Sequence, residues 1–441
     1  MGLKPFYGST FFRSIANGLI NPFIPVFALA LGASKTIIGL TTTLPNISKL
    51  FSQLLWGSLS EVTKKKKILV IVGGVLWAIL WLPVALVKDP VQLIILLTIQ
   101  SFLASMSIPS WTVLLIRSTP KYKRGEINGR VNTISGIGTF IGTMVAGFVL
   151  NRFGFVWFLF IVICLLGILS RVAFSFLKEP HIPIRTKKFT KVLESTLSLS
   201  VIKKERKLKS LLLAIMFLNF SVGIPAPFFS IYILKIGGTN IDIAIISSLA
   251  TISAIIFYRA WGTLIDFLGR KTVMLSCIIP ISIYPLVYAV ANNVFWLYLY
   301  AIINGMSWAG FNLATFVYLS DVLPTEKGPS SVSLYNLFTG LSSSIAPFVG
   351  GLIAEFTSLR FIFILSMILR FSSFTLLDRL EEKVGFKPRG IFRFGPEFFG
   401  LSYKIEMFVS TYSLLIDEAR KKGRVLFDFK NIRKFVEKLK T

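Results

Sequence analysis

Three basic side chains, Arg13, Lys49 and Arg259, stand inside long apolar runs of this chain. A cation in hydrocarbon is unfavourable unless it meets water, a partner or a ligand, so such residues mark a polar cavity or a charge site. The chemistry they offer is anion recognition, through the planar donor fork of Arg and the point charge of Lys. Asn304, Trp308 and Asn312 form a second set, because spacing by four puts all three on one helical face. A polar stripe facing lipid would be unfavourable, so this face is predicted to turn toward a cavity. Asn17, Gln100, Trp111, Asn219, Tyr258 and Asn336 are weaker candidates. An intramembrane Asn serves equally well as glue between helices, and a lone Trp as a packing or interface residue.

Catalytic chemistry lacks its parts. The single histidine, His181, lies in a polar connector, and the two cysteines, Cys164 and Cys277, lie in apolar runs as small hydrophobes. No G-x-x-x-x-G-K-[ST] or G-x-S-x-G pattern occurs. The expectation is a protein that is not an enzyme, with no cofactor and no metal site.

The elements that hold these residues are membrane spans. With 54% hydrophobic and 15% charged residues in 441, the chain cannot make a soluble surface. Apolar segments of about 20 residues recur, each long enough for a hydrocarbon core of roughly 30 Å. There are about twelve: 8–31, 36–59, 68–87, 91–116, 127–150 and 154–177, then 209–234, 241–265, 272–291, 294–320, 329–353 and 358–377. Their length excludes the alternating ten-residue strands of an outer-membrane barrel. The first run is too long for a signal segment and is read as a retained span. Arg171 and Arg370 fall near span ends in matching positions, which predicts interfacial anchors.

Lys64 to Lys67, Lys121, Lys123, Arg124, the 178–208 connector, Arg270, Lys271 and the tail all fall on one side, which is predicted to be cytoplasmic. Both termini are then inside, and the chain is expected in the cell membrane. The net charge of +28 is topological on this reading, and no nucleic-acid partner is expected. The domains follow: a six-helix bundle over 1–177, a connector over 178–208, a second bundle over 209–378 and a tail over 379–441. Ile405, Phe408, Tyr412 and Ile416 in that tail follow helical spacing among basic residues, predicting amphipathic helices on the inner leaflet or on the protein's own loops.

The two bundles are copies of one another. Trp56-Gly57 returns as Trp261-Gly262, 205 residues later, and at the same offset Gly18 pairs with Gly223, Pro22 with Pro227 and Ser48 with Ser253. The second copy continues as Gly262, Asp266, Gly269, Arg270 and Lys271 in the pattern G-x-L-x-D-x-x-G-R-K. On these residues the chain resembles the major facilitator superfamily, which carries this loop between the second and third helices of each half. The first copy keeps Gly57 and Glu61, but Lys64 and a lysine run replace the rest. In the loop, Gly262 is expected to let helices approach closely and Gly269 to allow a tight turn. Arg270 is expected to bond Asp321 as a conformational latch, with Glu61 and Arg117 as the charge-reversed equivalent. The bland alternative is that Arg117 merely marks a span end.

The resemblance implies an all-α polytopic membrane protein with the superfamily's fold, two six-helix bundles related by a parallel pseudo-two-fold repeat. It implies a secondary transporter working by alternating access, with a small-molecule substrate between the halves, acting in the bilayer as a monomer. Spans one, two, seven and eight border the cavity in that family. Arg13, Lys49 and Arg259 then form a basic pocket for a small organic or inorganic anion. The alternative for Arg13 and Arg259 is snorkelling to headgroups. Lys49, about 18 Å from Glu61 along its helix, lies near mid-membrane. Glu61, Glu126, Asp242, Asp266, Asp321 and Glu355 all sit at span ends, so the buried carboxylate often used for proton coupling has no obvious place. The competing functions are a polyspecific drug exporter and a non-transporting receptor or scaffold of the same fold.

Overall fold

The computed structural model describes residues 3–62, 66–120, 123–179, 206–322 and 328–381; the side chains at 61, 62, 124, 125, 206, 207, 266, 267 and 328–334 lie outside that description. The expectations for the connector with His181, for the amphipathic tail and for the Glu61 and Asp266 side chains fall outside the described residues. The compact unit that contains the helices runs to Lys383.

The described residues are almost wholly helical. The first half contains α1 (Lys4–Ile20), α2 (Ile24–Ala30), α3 (Lys35–Val62), α4 (Lys66–Ile79), α5 (Trp81–Val84), α6 (Pro90–Ser105), α7 (Ser107–Arg117), α8 (Arg124–Phe153) and α9 (Trp157–Ser175). The second contains α10 (Arg206–Gly223), α11 (Phe228–Lys235), α12 (Asn240–Leu268), α13 (Arg270–Val290), α14 (Phe295–Val322), α15 (Gly328–Phe356) and α16 (Leu359–Asp378). The pairs α1–α2, α4–α5, α6–α7 and α10–α11 are single crossings interrupted along their length, which gives six crossings per half. Among the described residues nine crossings are long and apolar enough to span a bilayer by composition alone. The other three are α1–α2, α3 and α14, and these carry Arg13, Lys49 and the Asn304–Asn312 stripe.

The two halves repeat one packing scheme. In the first, α1 packs on α8 and α9, α3 on α6, and α4 on α9; in the second, α10 packs on α15 and α16, α12 on α14, and α13 on α16. Individual hydrogen bonds repeat as well. Trp56 Nε1 donates to Phe102 O at 3.0 Å and Trp261 Nε1 to Met306 O at 2.8 Å. Ser48 Oγ donates to Thr98 O at 3.2 Å and Ser253 Oγ to Ile302 O at 2.6 Å. The halves meet along α3 against α15 and α8 against α12, seams that exchange under the pseudo-two-fold. Glycines allow both seams: an ideal Cβ on Gly351 would lie 2.6 Å from Lys35 O, and one on Gly147 would lie 2.5 Å from Ala244 Cβ.

Kinked crossings expose carbonyls that lipid cannot satisfy, and neighbouring helices supply the donors. Pro22 removes the N–H that would bond Gly18 O, and Thr143 Oγ1 donates there at 3.1 Å. Pro225 frees Ser221 O, which accepts from Ser366 Oγ at 2.7 Å. Pro285 frees Ile281 O, which accepts from Arg370 Nη1 at 2.8 Å. This corrects the reading of Arg171 and Arg370 as interfacial anchors, since they are 4% and 1% exposed and lie inside their bundles. Arg171 Nη1 reaches Val70 O at 3.4 Å and lies over Gly74, where any Cβ would collide with it. Restoring the amide donor with Pro285→Ala is therefore expected to make Arg370→Met better tolerated. In a double-mutant cycle read by thermal unfolding, the coupling should be about 1 kcal/mol in favour of the double variant. Strict additivity would refute the assignment.

Candidate functional site

Arg13, Asn17 and Asn21 project from α1 and the turn that follows it, Thr41, Asn46 and Lys49 from α3, Trp77 and Trp81 from α4 and α5, and Gln100 from α6. Together with a few small and apolar neighbours they line a chamber of about 480 Å³. The second half contributes Ala226 and Pro227, at the break between α10 and α11. None of the described residues lining the chamber carries a carboxylate. Two cations, Arg13 and Lys49, thus face a space to which no described lining residue brings a fixed counter-charge.

Arg13 is held in place by its neighbours. Its guanidinium carbon lies 5.0 Å from the centre of the Trp77 ring, a cation–π contact. Gln100 Nε2 donates to Trp77 O at 3.0 Å, and Gln100 itself is 4% exposed. The amide is therefore committed to holding the Trp77 segment, and through it the ring that covers Arg13. Trp77 and Trp81 are 7% and 2% exposed and meet edge to face, and Trp81 stacks on Phe160. Lys49, one full turn below Pro45, is exposed within the chamber.

The structure brings Arg13 and Lys49 together and leaves Arg259 elsewhere: Arg259 is exposed on α12 and does not line the chamber. Asn304, Trp308 and Asn312 share a face of α14 that runs from buried to exposed, outside the same space. The Asn304 Oδ1 is buried without a partner among the described residues. Of the weaker candidates, Asn17 and Gln100 line the chamber, whereas Trp111 packs edge-on against Phe6 at 5.9 Å. Sequence reasoning passed over Trp77, Trp81, Asn21, Thr41 and Asn46. The Trp77–Trp81 spacing of four was the available signal, since it sets both rings on one helical face.

At the end of the protein that holds Lys4 and Asp378, the second-copy loop is built as an ionic junction. Gly269 ends α12 and opens α13 at φ +89°, a left-handed conformation that favours glycine. Arg270 Nε lies 3.1 Å from Asp321 Oδ2 at the end of α14, and Lys271 Nζ lies 3.1 Å from Asp378 Oδ1 at the end of α16. Arg117 is exposed at the matching end of α7. Gly262 corrects an expectation: an ideal Cβ there would meet its nearest neighbour, Leu313, only at 4.0 Å, and one at the first-copy Gly57 would meet Pro109 at the same distance. Neither glycine is required for close helix approach in this conformation.

At the opposite, distal end the halves are joined directly. Ser230 Oγ donates to Pro22 O at 2.8 Å, the Phe348 N–H donates to Thr43 Oγ1 at 3.0 Å, and Lys35 and Glu355 reach across between α3 and α15.

Comparison with known proteins agrees with this architecture. The family profile described as Major Facilitator Superfamily matches residues 6–239 and 211–391. Multidrug resistance protein MdtG of Salmonella paratyphi B is 25% identical over 278 residues, covering 61% of this chain and 68% of that protein. Among solved structures, nucleoside transporter NupG gives a TM-score of 0.70 at 18% identity, covering 86% of this chain and 100% of the other. A bacterial homologue of the human lysosomal transporter Spinster, in an inward-facing and unoccupied conformation, gives 0.65 at 13% identity, covering 85% and 95%. With the duplicated six-crossing halves and the profile matching both, this chain belongs to the Major Facilitator Superfamily and is a multi-pass membrane transporter of the secondary type.

Proposed function

We propose that this transporter carries a small organic or inorganic anion, bound chiefly by its first half and charge-matched by Arg13 and Lys49. One observation carries the reading: two cations line a 480 Å³ chamber in which no described lining residue is acidic. Asn17, Asn21 and Asn46 add neutral polar groups that orient a ligand without cancelling its charge. Alternating access closes the distal end while the chamber loads from the other, and the Arg270–Asp321 junction serves as a latch on the loading side. The basic bias of the loops supports cytoplasmic termini and a place in the cell membrane. The working unit is a monomer made of the bundles 1–177 and 209–378, the connector 178–208 and the tail 379–441.

A second reading, export of lipophilic compounds, draws on the relative named a multidrug resistance protein and on the apolar walls at Ile24, Leu97 and Ile108. Thermal unfolding of the purified protein against panels of carboxylates, phosphates and lipophilic cations separates the two. Anions at about a hundred times their Kd should stabilise by about 2.7 kcal/mol, and Lys49→Ala should abolish most of that gain. Stabilisation by the cations alone would replace the anion reading with the second one.

A further inference from the structure

Lys35 is the first residue of α3, and Glu355 is the last but one of α15. Each charge stands at the end of its own helix where the helix dipole disfavours it, a cation at an N-terminus and an anion at a C-terminus. Both side chains reach instead to the other half. Lys35 Nζ donates to Ala354 O at 2.6 Å and to Thr357 O at 3.3 Å, carbonyls at the close of α15. Glu355 Oε2 accepts from the Thr36 N–H at 3.1 Å and from Thr36 Oγ1 at 3.2 Å, at the opening of α3.

Each helix end also carries one cap of its own. Ser34 Oγ accepts from the Ile37 N–H at 3.4 Å, and Thr357 Oγ1 donates to Ile353 O at 2.7 Å. The opposite half supplies the next cap in each case. Among the described residues no ion pair joins Lys35 to Glu355. The two charges therefore act on helix ends and not on one another.

We propose that Lys35 and Glu355 form a reciprocal helix-capping clasp that holds the distal end shut and sets the balance between distal-closed and distal-open states. Opening the seam between α3 and α15 uncaps both helices at once and returns each charge to the wrong end of its own dipole. The clasp is independent of what the chamber carries.

Spin labels at Leu86→Cys and Trp296→Cys, both exposed near the distal end, report the separation of the halves by electron–electron double resonance in full-length protein lacking Cys164 and Cys277. Lys35→Ala and Glu355→Gln are each expected to raise the open-to-closed ratio about two- to fivefold. The exchanged variant Lys35→Glu/Glu355→Lys is the decisive one. An ordinary ion pair would survive the exchange, whereas a clasp would set an anion against the α15 carbonyls and a cation against the Thr36 amide, opening the seam further than either single change. Hydrogen exchange at the Thr36 amide gives a second readout, with protection falling about two- to fivefold in Glu355→Ala, which leaves that amide no side-chain acceptor. Wild-type distances in the exchanged variant, or unchanged Thr36 protection, would overturn the proposal.

Discussion

Gly142→Leu is expected to leave little correctly folded protein. A Cβ at Gly142 runs into the carbonyl of Ile15 on α1, and two turns of the α8 seam are committed to such contacts, since a Cβ at Gly138 would lie 2.8 Å from Phe11 O. Backbone cannot step aside as a side chain can, so the penalty should exceed the roughly 1–3 kcal/mol typical of overpacking. The same region holds the Thr143 bond to Gly18 O that compensates Pro22, so a shifted α8 loses that bond too. Gly262→Ala is the matched control, because the nearest atom to its Cβ is 4.0 Å away. It should change stability by less than about 1 kcal/mol, in either direction. Monodispersity on size exclusion and thermal unfolding midpoints measure both, and a well-folded Gly142→Leu protein would contradict the seam as described.

The second large effect is expected at Gln100. A glutamate there would place a negative charge among the residues that line the chamber with Arg13 and Lys49, and would exchange the donor to Trp77 O for an acceptor. Anion affinity should fall about a hundredfold, on the order of 2.7 kcal/mol, while Gln100→Met, which loses the bond without adding charge, should fall less than about tenfold. Calorimetric titration of an anion found to bind the wild type resolves the difference. Equal affinities for Gln100→Glu and wild type would show that the chamber's charge balance does not govern binding.

Much of the architecture was legible in the sequence, because duplication leaves paired signals. Trp56 and Trp261 announce the repeat and make the same bond to the fourth and tenth crossings. The Arg270–Asp321 contact could be foreseen as well, from a motif and a span end brought into register by the offset. Burial of Arg370 could not, because a span's length says how far a residue lies from the interface but not which way it points. The Pro285 that frees its acceptor carbonyl sits on a different crossing, joined to it only by packing. For the same reason Arg13 and Lys49 share a chamber while Arg259, similar in sequence context, is turned elsewhere. The helix breaks at 21–23 and 224–227 were hidden by hydropathy, which averages over the prolines that cause them.

Donors that repair kinked backbone also impose an order on biogenesis. In the second half both Ser366 and Arg370 belong to the last crossing, yet the carbonyls they satisfy lie on the first and third crossings of that half. Until the final segment has left the ribosome and partitioned into the bilayer, two backbone acceptors in nascent protein stand open to hydrocarbon. The carboxyl-terminal bundle is thus completed by its latest-made helix, and a chain cut short of residue 359 lacks the donors that meet Ser221 O and Ile281 O in the finished fold.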